Sequence, residues 1–299
     1  MNIFVFGEIL WDVYDSGRVI GGAPFNFSAH LAALGMKSYL VSAVGSDMLG
    51  KETLENITEK NVESDYVKVI DNPTGVCNVT LNEDKIPTYT LVEGVAYDNI
   101  TVTEDDIGKI NNVKSKSLYL GTLAMRNAVS RATAERLVQS CKWDNIFFDV
   151  NIRQHFYSKE IIDFGLKACT ILKFSREEAD VFARVGLTEY DGTQENLENL
   201  CRELSDKYDI AYVLLTLDKD GAAVYDKQAD SFTLSQKPQC KVVSTVGAGD
   251  SFFASYVRAY LNDKPVVKCL ADAIAVSGYV VGHVEAIPAY SEELINKLG

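Results

Sequence analysis

The 299-residue chain has no surplus of basic residues: 29 Lys and Arg stand against 42 Asp and Glu, for a formal net charge of −13. Such a surface repels phosphate backbones, and no Lys/Arg-rich stripe relieves it, which argues against a nucleic-acid partner. An anionic substrate would need a local basic pocket, so a neutral acceptor is the simpler expectation. The six cysteines, at 77, 141, 169, 201, 240 and 269, form no CxxC pair and no regular framework, and reduced thiols fit better than disulfides or structural zinc. His30, His155 and His283 lack metal-ligand spacing, and no Gly-x-Ser-x-Gly elbow supports a serine hydrolase. No apolar run is long enough to span a bilayer, and Ile3–Glu8 is entered without a basic leader, so a cytoplasmic protein without a membrane partner is expected. No linker, repeat or low-complexity tract intervenes, which predicts one domain over residues 1–299.

What is present is an alternation. Short β-rich runs, Phe4–Phe6, Tyr39–Val44, Ser117–Leu120, Ile146–Val150 and Tyr212–Thr216, are separated by amphipathic segments such as residues 130–141 and 193–207. This predicts an α/β fold with a mostly parallel sheet covered by helices on both faces, binding its ligands outside the carboxyl ends of the strands. Residues 74–92 break the pattern with two extended runs, Val76–Leu81 and Thr88–Val92, around polar Asn82–Lys85, and read as a β-hairpin.

Two glycine motifs carry the chemistry. Val246-Gly247-Ala248-Gly249-Asp250 opens an apolar helical stretch, so unencumbered amides, a helix N-terminus and one carboxylate converge on a single point. Asp250 sits where a general base would take a hydroxyl proton during phosphoryl transfer, with Gly247, Ala248 and Gly249 offering N–H groups to the transferring charge. Near the other end, Gly21-Gly22-Ala23-Pro24-Phe25-Asn26 leads into a small-residue helix ending at Gly35, and Asn26 brings an amide suited to sugar hydroxyls. Asp12 can accept hydrogen bonds from two hydroxyls. Gly45–Glu52 comes within one residue of a Walker A loop, but Glu52 replaces the required Ser/Thr and the segment reads as a strand-to-helix connection.

These two motifs resemble the signature regions of the ribokinase-like (PfkB) carbohydrate kinase family, most closely its fructokinase branch. Gly7–Asp12, Gly121–Ala124, Phe148–Arg153 and Glu285–Pro288 occur in the family's order, so the resemblance covers the whole chain. It implies a three-layer α/β/α core and a small β-sheet lid, formed mainly by residues 74–92 with neighbouring N-terminal residues, that in the family sometimes pairs with a second subunit. It implies an ATP-dependent kinase acting on a primary hydroxyl, with fructose as the first acceptor. Another ketose, a keto-sugar acid or a nucleoside is the alternative, and a catalytically weak sugar or nucleotide sensor is the alternative of another class. Asp12, Gly22, Asn26 and Arg153 correspond to sugar-side positions, and Thr216, Gly221 and Gly249 to nucleotide-side ones. Glu178 corresponds to a carboxylate that organises Mg2+ through its waters. The chain departs from the family at Ser175 (usually Asn), in the magnesium-organising segment, at Asp218 (usually Gly), which would narrow the nucleotide site or bring negative charge close to it, and at Ser244 (usually Asp) and Glu285 (usually Gly), which put dependence on a monovalent cation in doubt.

Overall fold

The computed structural model describes residues 1–81, 87–193, 196–238 and 240–299. Its strands are β1 (Asn2–Phe6), β2 (Leu10–Tyr14), β3 (Gly17–Gly21), β4 (Lys37–Gly45), β5 (Glu63–Ile70), β6 (Gly75–Leu81), β7 (Pro87–Leu91), β8 (Lys116–Gly121), β9 (Asn145–Asp149), β10 (Ile171–Ser175), β11 (Tyr212–Thr216), β12 (Ala222–Asp226) and β13 (Ser231–Leu234). The α-helices are α1 (Ala23–Ala33), α2 (Met48–Glu59), α3 (Glu104–Asn112), α4 (Ala128–Ser140), α5 (Lys159–Ala168), α6 (Ala179–Arg184), α7 (Leu197–Tyr208), α8 (Ala248–Leu261), α9 (Val266–Val281) and α10 (Glu292–Lys297).

Nine strands form one sheet in the order β13-β12-β11-β10-β9-β8-β1-β4-β5, parallel from β5 to β11 and closed by the antiparallel pair β12 and β13. The period of two along β1 sorts its side chains between two cores. Phe4 and Phe6 join one with residues of α3, α4, α5 and α7, while Ile3 and Val5 join the other with residues of α1, α8 and α9. The expected three layers follow. On the second face Phe253 of α8 meets Phe27 of α1 at 5.5 Å, Tyr119 of β8 at 6.0 Å and Phe147 of β9 at 6.2 Å between ring centroids. Burying such a ring contributes roughly 2–3 kcal/mol, and here it locks the two glycine-led helices to the same strands.

A second sheet of four strands, in the order β3-β2-β6-β7, provides the lid. The β6–β7 pair is the expected antiparallel hairpin, with its connection outside the described residues. The N-terminal contribution is larger than a neighbouring segment: β2 pairs in parallel with β6, placing Asp12 opposite Cys77. Helix α1 ends as its sequence predicts, with Gly35 at φ 80°, the Gly35 amide on Ala32 O and the Met36 amide on Leu31 O.

Candidate active site

Gly247 caps α8 in the left-handed region (φ 78°), and a Cβ there would lie 2.6 Å from Ala286 O, so only glycine lets this turn pack against the segment after α9. The first amide bonded back within the turn-to-helix junction is Ala248, to Thr245 O at 3.3 Å, and the helical ladder starts with Ser251 to Gly247 O at 2.9 Å. The amides of Gly249 and Asp250 therefore precede the ladder and face the cleft end of the helix, where its dipole favours an anion. Of the three residues expected to present N–H groups, Ala248 has its amide engaged with Thr245 O, while Ala248 and Gly249 both line the adjoining cleft.

Asp250 Oδ2 accepts a hydrogen bond of 2.8 Å from Asn26 Nδ2. Burial raises the Asp250 pKa above the ordinary carboxylate range, against the opposing pull of Asn26, Lys173 and Arg153. Asn26 itself is buried, and its Oδ1 has no partner among the described residues. Gly22, the N-cap of α1, stands at φ 104°, where a Cβ would come within 2.7 Å of Glu8 O. Gly22 is thus needed to bring the start of α1 against the segment that follows β1. Asp12, half-buried on β2, has its pKa raised by burial, with the Cys77 thiol and Arg153 pulling the other way. Arg153 is exposed on the loop after β9, within electrostatic reach of Glu8, Asp12 and Asp250. The neighbouring Gln154 ties that loop to the lid through a 2.6 Å bond to Tyr89 O.

Asn26 is thus bonded to Asp250, Arg153 lies within electrostatic reach of Asp12 and Asp250, and a cleft of roughly 670 Å³, lined by Arg153 as well, opens at α8's first turn. Thr216, Gly221 and Gly249 all line this cleft. Gly221 has φ 98°, and a Cβ would meet Ser235 Oγ at 2.5 Å. Asp218 takes a left-handed backbone (φ 52°) in the same loop, and the carboxyl of Glu177 beside it pushes its pKa up to about 6. This acidic pair at the cleft rim opposes a polyphosphate. Asp218→Gly should lower KM for ATP by about threefold to tenfold through lost repulsion across a partly solvated gap, read by steady-state kinetics at fixed ionic strength. An unchanged or higher KM would show that Asp218 does not face the nucleotide.

Glu178 is committed differently from a free ligand. Its Oε1 accepts Ile152 N–H at 2.6 Å and its Oε2 accepts Ser175 N–H at 2.7 Å, so it joins the loops after β9 and β10. Among the described residues no group of three or more His, Cys, Asp or Glu side chains is arranged to hold a metal. Ser244 Oγ accepts the Val246 amide at 3.3 Å, and Glu285 is exposed beside Ala286. The Walker-like segment is a strand-to-helix connection as expected: Asp47 caps α2, accepting Gly50 N–H at 2.8 Å, and Glu52 pairs with Arg18 at 2.7 Å.

Two residues escaped the sequence reading. Glu8, 2% exposed after β1, has its pKa pushed up to about 7 by burial, with Asp250 adding to the rise, and its Oε2 has no partner among the described residues. Lys173, buried on β10, bonds Asp149 Oδ1 at 2.9 Å and lines the cleft next to Gly249. The available signal was a charge inside or directly after an apolar run, at Ile171-Leu172-Lys173-Phe174 and Ile3-Phe4-Val5-Phe6-Gly7-Glu8.

Residues 5–293 match the profile described as pfkB family carbohydrate kinase. The chain belongs to this family. It is 29% identical over 307 aligned residues to an ATP-dependent 6-phosphofructokinase of Thermoanaerobacterium thermosaccharolyticum, covering 96% of this chain and 89% of that one. It is 26% identical over 275 residues to a 5-dehydro-2-deoxygluconokinase of Geobacillus kaustophilus, covering 88% and 79% respectively. Among solved structures, the fructokinase of Vibrio cholerae O395 with bound fructose, ADP and calcium superposes with a TM-score of 0.81 at 20% identity, over 99% of this chain and 98% of that one. The aminoimidazole riboside kinase of Salmonella enterica gives a TM-score of 0.79 at 19% identity over 100% of both chains. This PfkB chain is thus a carbohydrate kinase with the ribokinase-like fold, and among its described residues no helix is long and apolar enough to cross a membrane.

Proposed function

We propose that the chain transfers the γ-phosphoryl group of ATP to a primary hydroxyl of a free ketose, with fructose preferred. The observation that carries this reading is the Asn26–Asp250 hydrogen bond, which joins the diglycine helix to the phosphate-facing helix between the lid and the nucleotide cleft. Asp250 takes the hydroxyl proton as the sugar oxygen attacks phosphorus, and Gly249's amide meets charge on the transferring group. On the acceptor side Glu8, Asp12 and Asp250 supply carboxyl groups against Arg153, the other nearby cations Arg126 and Lys173 being paired with Asp98 and Asp149, a balance suited to hydroxyl donors rather than to a phosphorylated sugar. The exposed Arg153 supports a second reading, a keto-sugar acid whose carboxylate it would clamp, in line with the name of the Geobacillus relative.

A coupled ATP-consumption assay over fructose, other ketoses, fructose 6-phosphate, keto-deoxy acids, ribose and nucleosides tests the choice. Fructose should give the highest kcat/KM. A keto-deoxy acid at the top, with the advantage lost in Arg153→Ala, would move the assignment to the second reading. No turnover with any acceptor would overturn both.

Magnesium belongs to this reading as the partner of ATP. Glu178, with one amide on each carboxylate oxygen, retains lone pairs that fit the ion's waters rather than the ion, and the bound ion would supply Lewis-acid neutralisation of the phosphates. For monovalent cations the expectation is weak or absent potassium activation. The Ser244 hydroxyl is engaged in its own turn and compensates a partly dehydrated cation less well than a carboxylate. Turnover in potassium should match turnover in a large organic cation at equal ionic strength. Strong potassium-specific activation that disappears in Glu285→Gln would instead assign the cation to a carboxylate relocated to position 285.

A further inference from the structure

We propose that Lys173 is a catalytic residue whose ammonium contacts the transferring phosphoryl group from beneath the first turn of α8. The inference rests on the kinase reading above and adds a residue to it. Lys173 lies on β10, its side chain 7% exposed, and Nζ comes within 3.4 Å of where a Cβ on Gly249 would stand. It lines the nucleotide cleft together with Gly249, Ala248 and Thr216. One ammonium proton is held by Asp149 Oδ1 at 2.9 Å, and the Asp149 carboxylate is itself approached on Oδ2 by the Tyr119 hydroxyl at 3.4 Å. An ammonium carries three donors, so this anchor aims the group while leaving protons for a ligand.

The electrostatics require such a cation. Asp149, Glu178 and Asp250 all lie within electrostatic reach of Lys173, and burial, which works against its charge, is outweighed by these three carboxylates. Without the ammonium, a polyphosphate would meet a floor of like charge in a protein already carrying a net charge of −13. The other cations lining the cleft are placed elsewhere. Arg176 is bonded to Leu217 O and Asp220, Lys219 is exposed on the loop after β11, and Arg153, at the cleft's edge, is exposed and within electrostatic reach of the acceptor-side carboxyls Glu8 and Asp12 as well as Asp250.

During transfer the bond between the acceptor oxygen and the γ-phosphorus forms as the bond to the β–γ bridging oxygen breaks. Its electron pair leaves on ADP, and the hydroxyl proton passes to Asp250. Charge grows on the phosphoryl oxygens and on the departing oxygen, at the point where Lys173 and the Gly249 amide converge. A preorganised donor acting there is worth about a hundredfold to a thousandfold in kcat.

The test compares Lys173→Met, the double variant Asp149→Asn with Lys173→Met, and Asp250→Asn, with ATP and the best acceptor from the panel. The double variant removes both members of the buried pair, so no carboxylate is stranded in the core. Because Lys173 and Arg153 lower the Asp250 pKa, Asn26 donates to its carboxylate, and Glu8, Asp149 and Tyr119 lie within electrostatic reach of it, rates of the parent and the two Lys173 variants are compared on the alkaline plateau of each pH profile rather than at one pH. Folding is checked by thermal melting. Lys173→Met and the double variant should both lose kcat by about a hundredfold or more, with KM for ATP moving less than about fivefold. Recovery of the double variant to within about threefold of the parent would overturn the proposal and leave Lys173 as no more than the counter-ion of Asp149. Asp250→Asn reads the base assignment separately: its loss of turnover does not depend on Lys173, and full activity in that variant would count against the base alone.

Discussion

Asp250→Asn should lower turnover by at least about a hundredfold while leaving the melting temperature and ATP affinity nearly unchanged, since a positioned general base contributes on that scale. The amide keeps the shape and can still face Asn26, but it cannot take the sugar's proton. The sign of the pH dependence follows from burial. A raised pKa means that Asp250 holds its proton to a higher pH than a free carboxyl, so kcat/KM should rise with pH along a limb lying above the usual carboxylate range. In Asp250→Asn that limb should vanish along with the activity. Near-parental turnover in a correctly folded variant would remove Asp250 from the reaction.

The second large effect is expected on the acceptor side. Asp12→Ala should raise the sugar KM by about tenfold to a hundredfold, because truncation leaves acceptor hydroxyls unpaired in a half-buried site, while KM for ATP stays constant. Asn26→Ala should behave differently. Its Nδ2 is bonded to the Asp250 carboxylate, so the variant should lower kcat as well as weaken sugar binding. Initial rates with each substrate varied in turn separate the cases. Equal rises in both Michaelis constants for Asp12→Ala would contradict an acceptor-side role, and an unchanged kcat in Asn26→Ala would show that the Asp250 bond does not serve the chemistry.

The difference between these two residues shows where sequence reading stopped. The diglycine motif marked Asn26 as a sugar-side amide at the start of a helix, and the helix is there. The partner of its side chain lies 224 residues away, and no local pattern encodes that distance. Glu178 is similar. A carboxylate in the first turn of a helix was readable, whereas its grip on the Ile152 amide depends on β9 and β10 lying side by side in parallel. Lys173 and Glu8 were passed over because one charged residue at the end or in the middle of an apolar run has several structural uses, and choosing among them requires knowing what packs opposite.

What the sequence by itself determined is what short range can specify. A period of two placed the strand faces, glycines marked the turns at 22, 35 and 247 that need positive φ, and the alternation of strand and helix set a parallel sheet between two helical layers. Backbone sterics and burial act over a few residues at a time, so they leave a local trace. Only the tertiary structure decided that β2 joins β6 in parallel to carry Asp12 into the lid, that Asn26 meets Asp250, and that Lys173 lies under Gly249. Those contacts arise where α1, α8 and β10 are pressed together by the Phe27, Tyr119, Phe147 and Phe253 cluster and its neighbours, and the packing of a whole core is not legible in any one segment of the chain.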